Sequence, residues 1–289
     1  IVFGDWSSDV CSSDLEGEPD KPLLLLSHGF GSDVHSFDHI VPFLLPDFQV
    51  LRWDYRGHGD SDQPKGANHE ATLPLYQMNV LAKDIYELLV ALNLITRKLI
   101  FLYGHSMGGM VAQSFAIQFP NILTRLGLAS TCPNNNTEAM IKMVNDYKAG
   151  KHQFNEESFK MNVLIGYTHK YLREHPEVIE ESVRRKMKVG PQILLALMEN
   201  FVMKYNVEDQ LPSIHIPTII LHGKRDGTIN YQNAEKIHSK IPNSLLITFP
   251  KMGHGINSEI PEEVVHHLRN FFLTDRKSTR LNSSHRIRS

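Results

Sequence analysis

The chain has 289 residues, 41% of them hydrophobic and 21% charged, with a formal net charge of −2. That balance fits one large globular domain and argues against a disordered chain, a nucleic-acid arm or a surface for anionic membranes. No apolar run approaches the ~20 residues of a membrane-spanning helix. The two cysteines, Cys11 and Cys132, are too few for a disulfide framework and point to a reducing, cytoplasmic setting.

The ends do not read like the middle. Residues 1–15 and 276–289 are Ser-rich, lack sustained periodicity and resemble peptides translated from sequencing-adapter DNA. They are expected to be non-native or disordered tails and are set aside from fold reasoning. The basic charge of the last segment is therefore no nucleic-acid signal.

From residue 16 the pattern is regular. Leu23-Leu-Leu-Leu-Ser27 and Phe48-Gln-Val-Leu-Arg-Trp53 are short continuous apolar runs, as buried strands require, and between them Phe37, Ile40, Val41 and Leu44 have helical spacing closed by Pro46. Leu81, Ile85, Leu88, Leu89 and Leu92 form one helical stripe. A strand over 98–103 follows, then a helix carrying Val111, Phe115 and Phe119 and stopped by Pro120, then the short apolar segment Leu126-Gly-Leu-Ala129. Residues 133–210 break the alternation, with helical patterns around 138–149, 156–174, 177–188 and 191–204 and no strand. Alternation resumes with a strand over 217–222, a helix near 231–241, a strand over 245–249 and a last helix carrying Val264, Leu268, Phe271 and Phe272. The expected fold is α/β: a mostly parallel sheet with helices on both faces, in which core segments 16–132 and 211–275 are separated by a helical lid at 133–210.

Gly104-His105-Ser106-Met107-Gly108 lies where the 98–103 strand gives way to a helix. A serine at such a turn projects above the sheet, and the flanking glycines avoid collisions. A serine hydroxyl needs a base to take its proton and a carboxylate to orient that base. Both types occur after later strands: Asp226 in Gly223-Lys-Arg-Asp226-Gly, and His254 between Gly253 and Gly255. The order Ser, Asp, His is that of the α/β-hydrolases rather than of the two protease arrangements.

With His28-Gly-Phe-Gly31 and Asp54-Tyr-Arg-Gly-His-Gly-Asp-Ser61, these pieces make residues 22 to 273 resemble the α/β-hydrolase superfamily. The resemblance is to its lid-bearing esterase, lactonase and carbon–carbon hydrolase group, which includes 3-oxoadipate enol-lactonases. It implies a nucleophile Ser106 with Asp226 and His254, and an oxyanion hole from the backbone N–H groups of Phe30 and Met107. It also implies two strands before the one ending in His28-Gly29, so the first strands are expected to be missing and the sheet edge bare.

The expected activity is hydrolysis of an ester, lactone or thioester of a small, largely apolar molecule through an acyl-enzyme, with no cofactor or metal. Carbon–carbon bond hydrolysis and cofactor-free perhydrolysis use the same triad, and a ligand receptor built on a hydrolase core is the reading of another class. Met143, Leu164, Met198 and Phe201 are candidates for an apolar roof and Cys132 for the pocket wall. His105 is expected to pack the elbow, His28 to hydrogen-bond the oxyanion loop, and Asp54 to Ser61 to form a rigid turn. His35 and His39, spaced to share a helix face, are expected to be solvated rather than to bind a metal.

Overall fold

The computed structural model describes residues 11–274. Its sheet has seven strands: β1 (Ser13–Glu16), β2 (Leu23–Ser27), β3 (Gln49–Trp53), β4 (Ile100–His105), β5 (Arg125–Ala129), β6 (Thr218–Gly223) and β7 (Ser244–Phe249), in the order β1-β3-β2-β4-β5-β6-β7. All neighbours are parallel except β1 and β3. The continuous apolar runs are explained by two-sided burial: Leu23 and Leu25 of β2 enter one core, Leu24 and Leu26 the other.

Helices α1 (Val41–Leu44), α11 (Ile256–Glu259) and α12 (Pro261–Leu273) cover one face. Helices α3 (Met78–Ala91), α4 (Met107–Gln118) and α10 (Gln232–Lys240) pack on the other side, and the short α2 (His69–Thr72) leads into Leu73 and Tyr76 of that core. The stripe read along 81–92 is α3, with Leu81, Ile85 and Leu89 fully buried and Leu88 and Leu92 at the margin. The helical spacing at 37–44 is interrupted: a 3-10 turn (Val34–Phe37) precedes α1, so His35 and His39 do not share one helix face, and both are exposed.

The 133–210 segment is helical: α5 (Glu138–Lys148), α6 (Glu156–Gly166), α7 (His169–Glu174), α8 (Glu177–Lys188) and α9 (Pro191–Glu199), followed by a π turn over Asn200–Lys204. The insert closes at a neck where Val207 N–H donates to Pro133 C=O at 2.9 Å and Asn134 bridges Asn206. The helix expected over 156–174 breaks after Gly166. Tyr167 is extended, Thr168 caps α7, and the Glu259 carboxylate takes the Thr168 N–H and hydroxyl.

The N-terminal expectation needs correction. Residues 13–15, assigned from sequence to a non-native or disordered tail, form with Glu16 a strand that covers the sheet edge expected to be bare, pairing antiparallel with β3. An edge strand is held by backbone hydrogen bonds and needs little apolar pattern; Leu15 is 43% exposed. The register is reinforced by Arg52, whose guanidinium reaches Glu16 at 2.7 Å and Asp14 at 3.5 Å. Residues 1–10 and 275–289, which hold most of the two expected tails, lie outside the described residues.

The strand order reverses between β2 and β4, so the loops leaving their C-terminal ends diverge. In an open parallel sheet that is where a crevice forms.

Candidate active site

Ser106 sits at that crevice with φ 58° and ψ −122°, a conformation ordinary L-residues avoid. Its backbone is held by its N–H donating to Ala129 C=O at 2.9 Å and by Thr131 Oγ1 donating to its carbonyl at 2.8 Å. The glycines are required by contact: a Cβ at Gly104 would come 2.3 Å from Gly108 O, and one at Gly108 would come 2.0 Å from Ser27 O. Helix α4 starts at Met107, so its positive end faces the serine.

The loop after β2 lies against Ser106; a Cβ at Gly29 would be 3.3 Å from Ser106 Cβ and 3.7 Å from its Oγ. Among the described residues neither the Phe30 nor the Met107 N–H is used in a backbone hydrogen bond, which leaves two donors beside Ser106. His28 Nδ1 donates to Gly29 C=O at 2.9 Å, while its Nε2 accepts the Tyr55 N–H at 3.2 Å. Because Nε2 accepts, Nδ1 carries the proton and is the donor. Burial pushes this imidazole down to about 4, so it is neutral near pH 7.

His254 Nδ1 donates to Asp226 Oδ2 at 2.8 Å. The carboxylate is saturated: Oδ1 accepts the N–H groups of Thr228 and Ile229, both at 2.8 Å, and Oδ2 is also 3.1 Å from His222 Nε2. Burial alone would raise the Asp226 pKa; the His254 charge and the bonds from His222 and His254 outweigh it and hold the group well below the usual carboxylate range. His222, fully buried at the end of β6, was not singled out by sequence reasoning, although its place four residues before Asp226 was visible.

The His254 loop is fixed from the insert and from the elbow. Gly166 C=O accepts the N–H groups of His254 (2.8 Å) and Gly255 (3.0 Å), and His254 C=O accepts from His105 Nε2 (2.9 Å) and Ser130 Oγ (3.2 Å). His105, expected as elbow packing, therefore also ties the elbow to this loop; burial and the neighbouring His254 charge push its pKa down to about 3. Asp54 organises the turn after β3, accepting the Val34 N–H at 2.9 Å and the Asp60 N–H at 3.0 Å. Arg56 makes two bonds to Asp84, at 2.7 and 2.6 Å.

Ser106, His254, Gly29 and Phe30 line one cavity of about 180 Å³. Its roof differs from the apolar one expected. The insert contributes Asn162, Val163, Tyr167, Glu181, Arg185 and Lys186, whereas none of Met143, Leu164, Met198, Phe201 or Cys132 lines it. The reason is packing within the insert. Met198 and Phe201 are buried in the main core with Met143 against it, Phe201 stacks edge-on behind Phe30 at 5.3 Å, and Leu164 faces outward. Cys132 is fully buried beside the Gln113 amide, and burial pushes its thiol up to about 12. Among the described residues no cluster of three or more His, Cys, Asp or Glu could hold a metal ion.

Residues 18–261 match the family described as serine aminopeptidase, S33. The chain belongs to that family, within the α/β-hydrolase superfamily. This hydrolase is 27% identical over 278 residues to epoxide hydrolase 4 of Mus musculus, covering 86% of this chain and 72% of the relative. It is 24% identical over 254 residues to 3-oxoadipate enol-lactonase 2 of Acinetobacter baylyi, covering 86% and 88%. Among solved structures, a hydrolase from Pseudomonas aeruginosa PA01 superposes with a TM-score of 0.79 at 27% identity, covering 95% of this chain and 97% of that one.

Proposed function

We propose that this protein is a serine hydrolase that cleaves a carboxylic ester, lactone or thioester through an acyl-enzyme on Ser106. The observation that carries the reading is the 2.8 Å His254–Asp226 pair on the same cavity as a strained serine with two unused backbone donors beside it. In this reading His254 Nε2 takes the Ser106 proton as Oγ attacks the carbonyl, and the resulting imidazolium is stabilised by Asp226. The oxyanion is received by the Phe30 and Met107 N–H groups. His254 then protonates the leaving alcohol, enol or thiol and activates the water that releases the acid. The insert at 133–210 acts as a lid.

The likeness to an epoxide hydrolase does not carry epoxide opening to this chain. A carboxylate attacking an epoxide leaves an ester that water can cleave; a serine alkoxide would leave an ether, which this triad has no means to hydrolyse. The enol-lactonase relative fits a serine attacking an acyl carbon.

The test is hydrolysis of a series of p-nitrophenyl esters of increasing acyl length and of simple lactones by the wild type and Ser106→Ala. Wild-type turnover with loss of at least three orders of magnitude in the variant supports the reading. Turnover that survives in Ser106→Ala overturns it.

A further inference from the structure

The oxyanion loop has left its strand, and its peptide groups must find partners elsewhere. Gly29 C=O is taken by His28 and by the Ser32 N–H at 3.2 Å, and Gly31 N–H donates to His58 Nε2 at 3.2 Å. Both histidines are fully buried in the core. Phe30 C=O is different: it accepts from Lys186 Nζ at 3.0 Å, and Lys186 belongs to α8 of the insert.

The lysine is built into this contact. Gly31 adopts φ +64°, and a Cβ there would come 3.0 Å from Lys186 Cγ, so the lysine stem lies against the loop backbone. Its ammonium is 5.9 Å from the centroid of the Phe30 ring, which also meets Phe201 in a T-shaped contact. Two neighbouring cations on α8 are spent on acids, Arg185 on Asp33 (3.2 Å) and Glu181 (3.5 Å) and Lys188 on Asp60 (3.7 Å), and Arg184 is exposed. Among the described residues no carboxylate lies within ion-pair reach of Lys186, and its charge is directed at a carbonyl. Burial and the Arg185 charge push its pKa down to about 8, as an ammonium without an acid partner should show.

We propose that Lys186 is a positioning residue of the oxyanion hole: it holds the Phe30–Gly31 peptide through its carbonyl while His28 and Ser32 hold the Gly29–Phe30 peptide, and the two together keep the Phe30 N–H aimed at Ser106. The inference rests on the acyl-enzyme reading and deepens it. The hole is then complete only when α8 is docked, while α6 holds the His254 loop through Gly166. Closure of the insert thus assembles the site as well as covering it.

The experiment compares wild type, Lys186→Met, which keeps the stem and removes the donor, and Lys186→Arg, which keeps a cationic donor. Each is assayed for kcat and KM on a neutral short-chain p-nitrophenyl ester and for the affinity of an alkylboronic acid, whose serine adduct carries the tetrahedral oxyanion. Lys186→Met should lose roughly ten- to a hundred-fold in kcat, the scale of one charge-assisted hydrogen bond, with KM within about two-fold. Boronate affinity should fall by the same factor, and Lys186→Arg should recover most of both. Unchanged kcat, a loss confined to KM, or a kcat loss with full boronate affinity would overturn the proposal. So would a loss confined to esters bearing a free carboxylate, the signature of an anion receptor. If Lys186→Met does not fold, Lys186→Gln, with a shorter neutral donor, must fall between wild type and zero in boronate affinity, and wild-type affinity in it overturns the proposal. Failure of the acyl-enzyme reading is seen separately, as turnover in Ser106→Ala.

Discussion

His222 Nε2 lies 3.1 Å from the Asp226 oxygen that also accepts the His254 Nδ1–H. The same nitrogen is 3.0 Å from the Ile229 carbonyl, and two acceptors around it require the proton to sit on Nε2. A buried imidazole thus serves as a fixed donor to the Asp226 carboxylate, which in the proposed reading orients His254 as the base. Replacing His222 by Leu removes one of four donors from Asp226 and leaves the other three. We expect kcat to fall about ten-fold with little change in KM. Asp226→Asn, which would favour the wrong His254 tautomer, should cost about three to four orders of magnitude. Steady-state kinetics on one ester check both; equal losses in the two variants would show that His222 does more than support Asp226.

Three buried histidines should make the fold sensitive to acid. Burial lowers the pKa of His28 to about 4 and of His105 to about 3, and it lowers His58 well below its ordinary value. Below pH 6.5 the unfolded chain binds protons that the folded chain refuses, so stability falls as the pH drops through that point toward the folded values. Each histidine contributes a slope of about 1.4 kcal/mol per pH unit in this window. Asp33, Asp54 and Glu259, raised by burial, act in the opposite direction but only where carboxylates begin to protonate. Urea melts at pH 7.5 and 5.5 should show a loss of about 3–4 kcal/mol, and His58→Asn should reduce that difference by about a third. A flat profile would contradict the neutral buried state of these rings.

Two glycines beside Ser106 separate activity from folding. A methyl on Gly29 meets Ser106 Cβ at 3.3 Å and Oγ at 3.7 Å, contacts that a folded chain tolerates but that fill the space where an acyl carbon must approach. A methyl on Gly108 meets Ser27 O at 2.0 Å and His28 O at 2.5 Å, where backbone would have to move. Gly29→Ala should keep its Tm within a few degrees and lose at least ten-fold in kcat/KM. Gly108→Ala should lose several kcal/mol of stability, read as a much lower Tm or insoluble expression.

The parts of this site that were legible in the sequence are those where backbone geometry or chemistry admits few residue types. Gly104, Ser106 and Gly108 had to be small or nucleophilic at a strand-to-helix turn, and Asp226 and His254 stand in glycine-rich loops directly after strands. The continuous Leu run of β2 announced two-sided burial for the same reason. What could not be read was tertiary choice. Lys186 looks like any lysine on the amphipathic helix α8 until the Phe30 carbonyl is placed beside it, and Met198 and Phe201 look equally fit for a cavity or a core. Strand β1 left no apolar trace, because an edge strand is specified by its partner β3 and by Arg52 rather than by its own pattern.

That last relationship makes the edge of the sheet testable without touching the site. The Arg52 side chain is 9% exposed and reaches Glu16 at 2.7 Å, Asp38 at 2.6 Å and Asp14 at 3.5 Å, but these acids are 40%, 51% and 46% exposed. Solvent screening limits each pair to at most about 1 kcal/mol. Backbone pairing between β1 and β3 is the larger contribution, and Asp54 N–H also donates to Ser12 C=O at 2.9 Å just beyond the ladder. Arg52→Met should therefore loosen β1 locally rather than unfold the sheet. Global stability should drop by about 1–2 kcal/mol, and amide exchange should accelerate over residues 13–16 while β4 and β5 keep their protection. The kcat on a simple ester should stay within two-fold, because the Asp54 turn is held independently by the bonds from Val34 and Asp60. A large kcat loss in Arg52→Met would mean that the edge strand communicates with the oxyanion loop through Val34, whose carbonyl Arg52 also contacts at 3.3 Å.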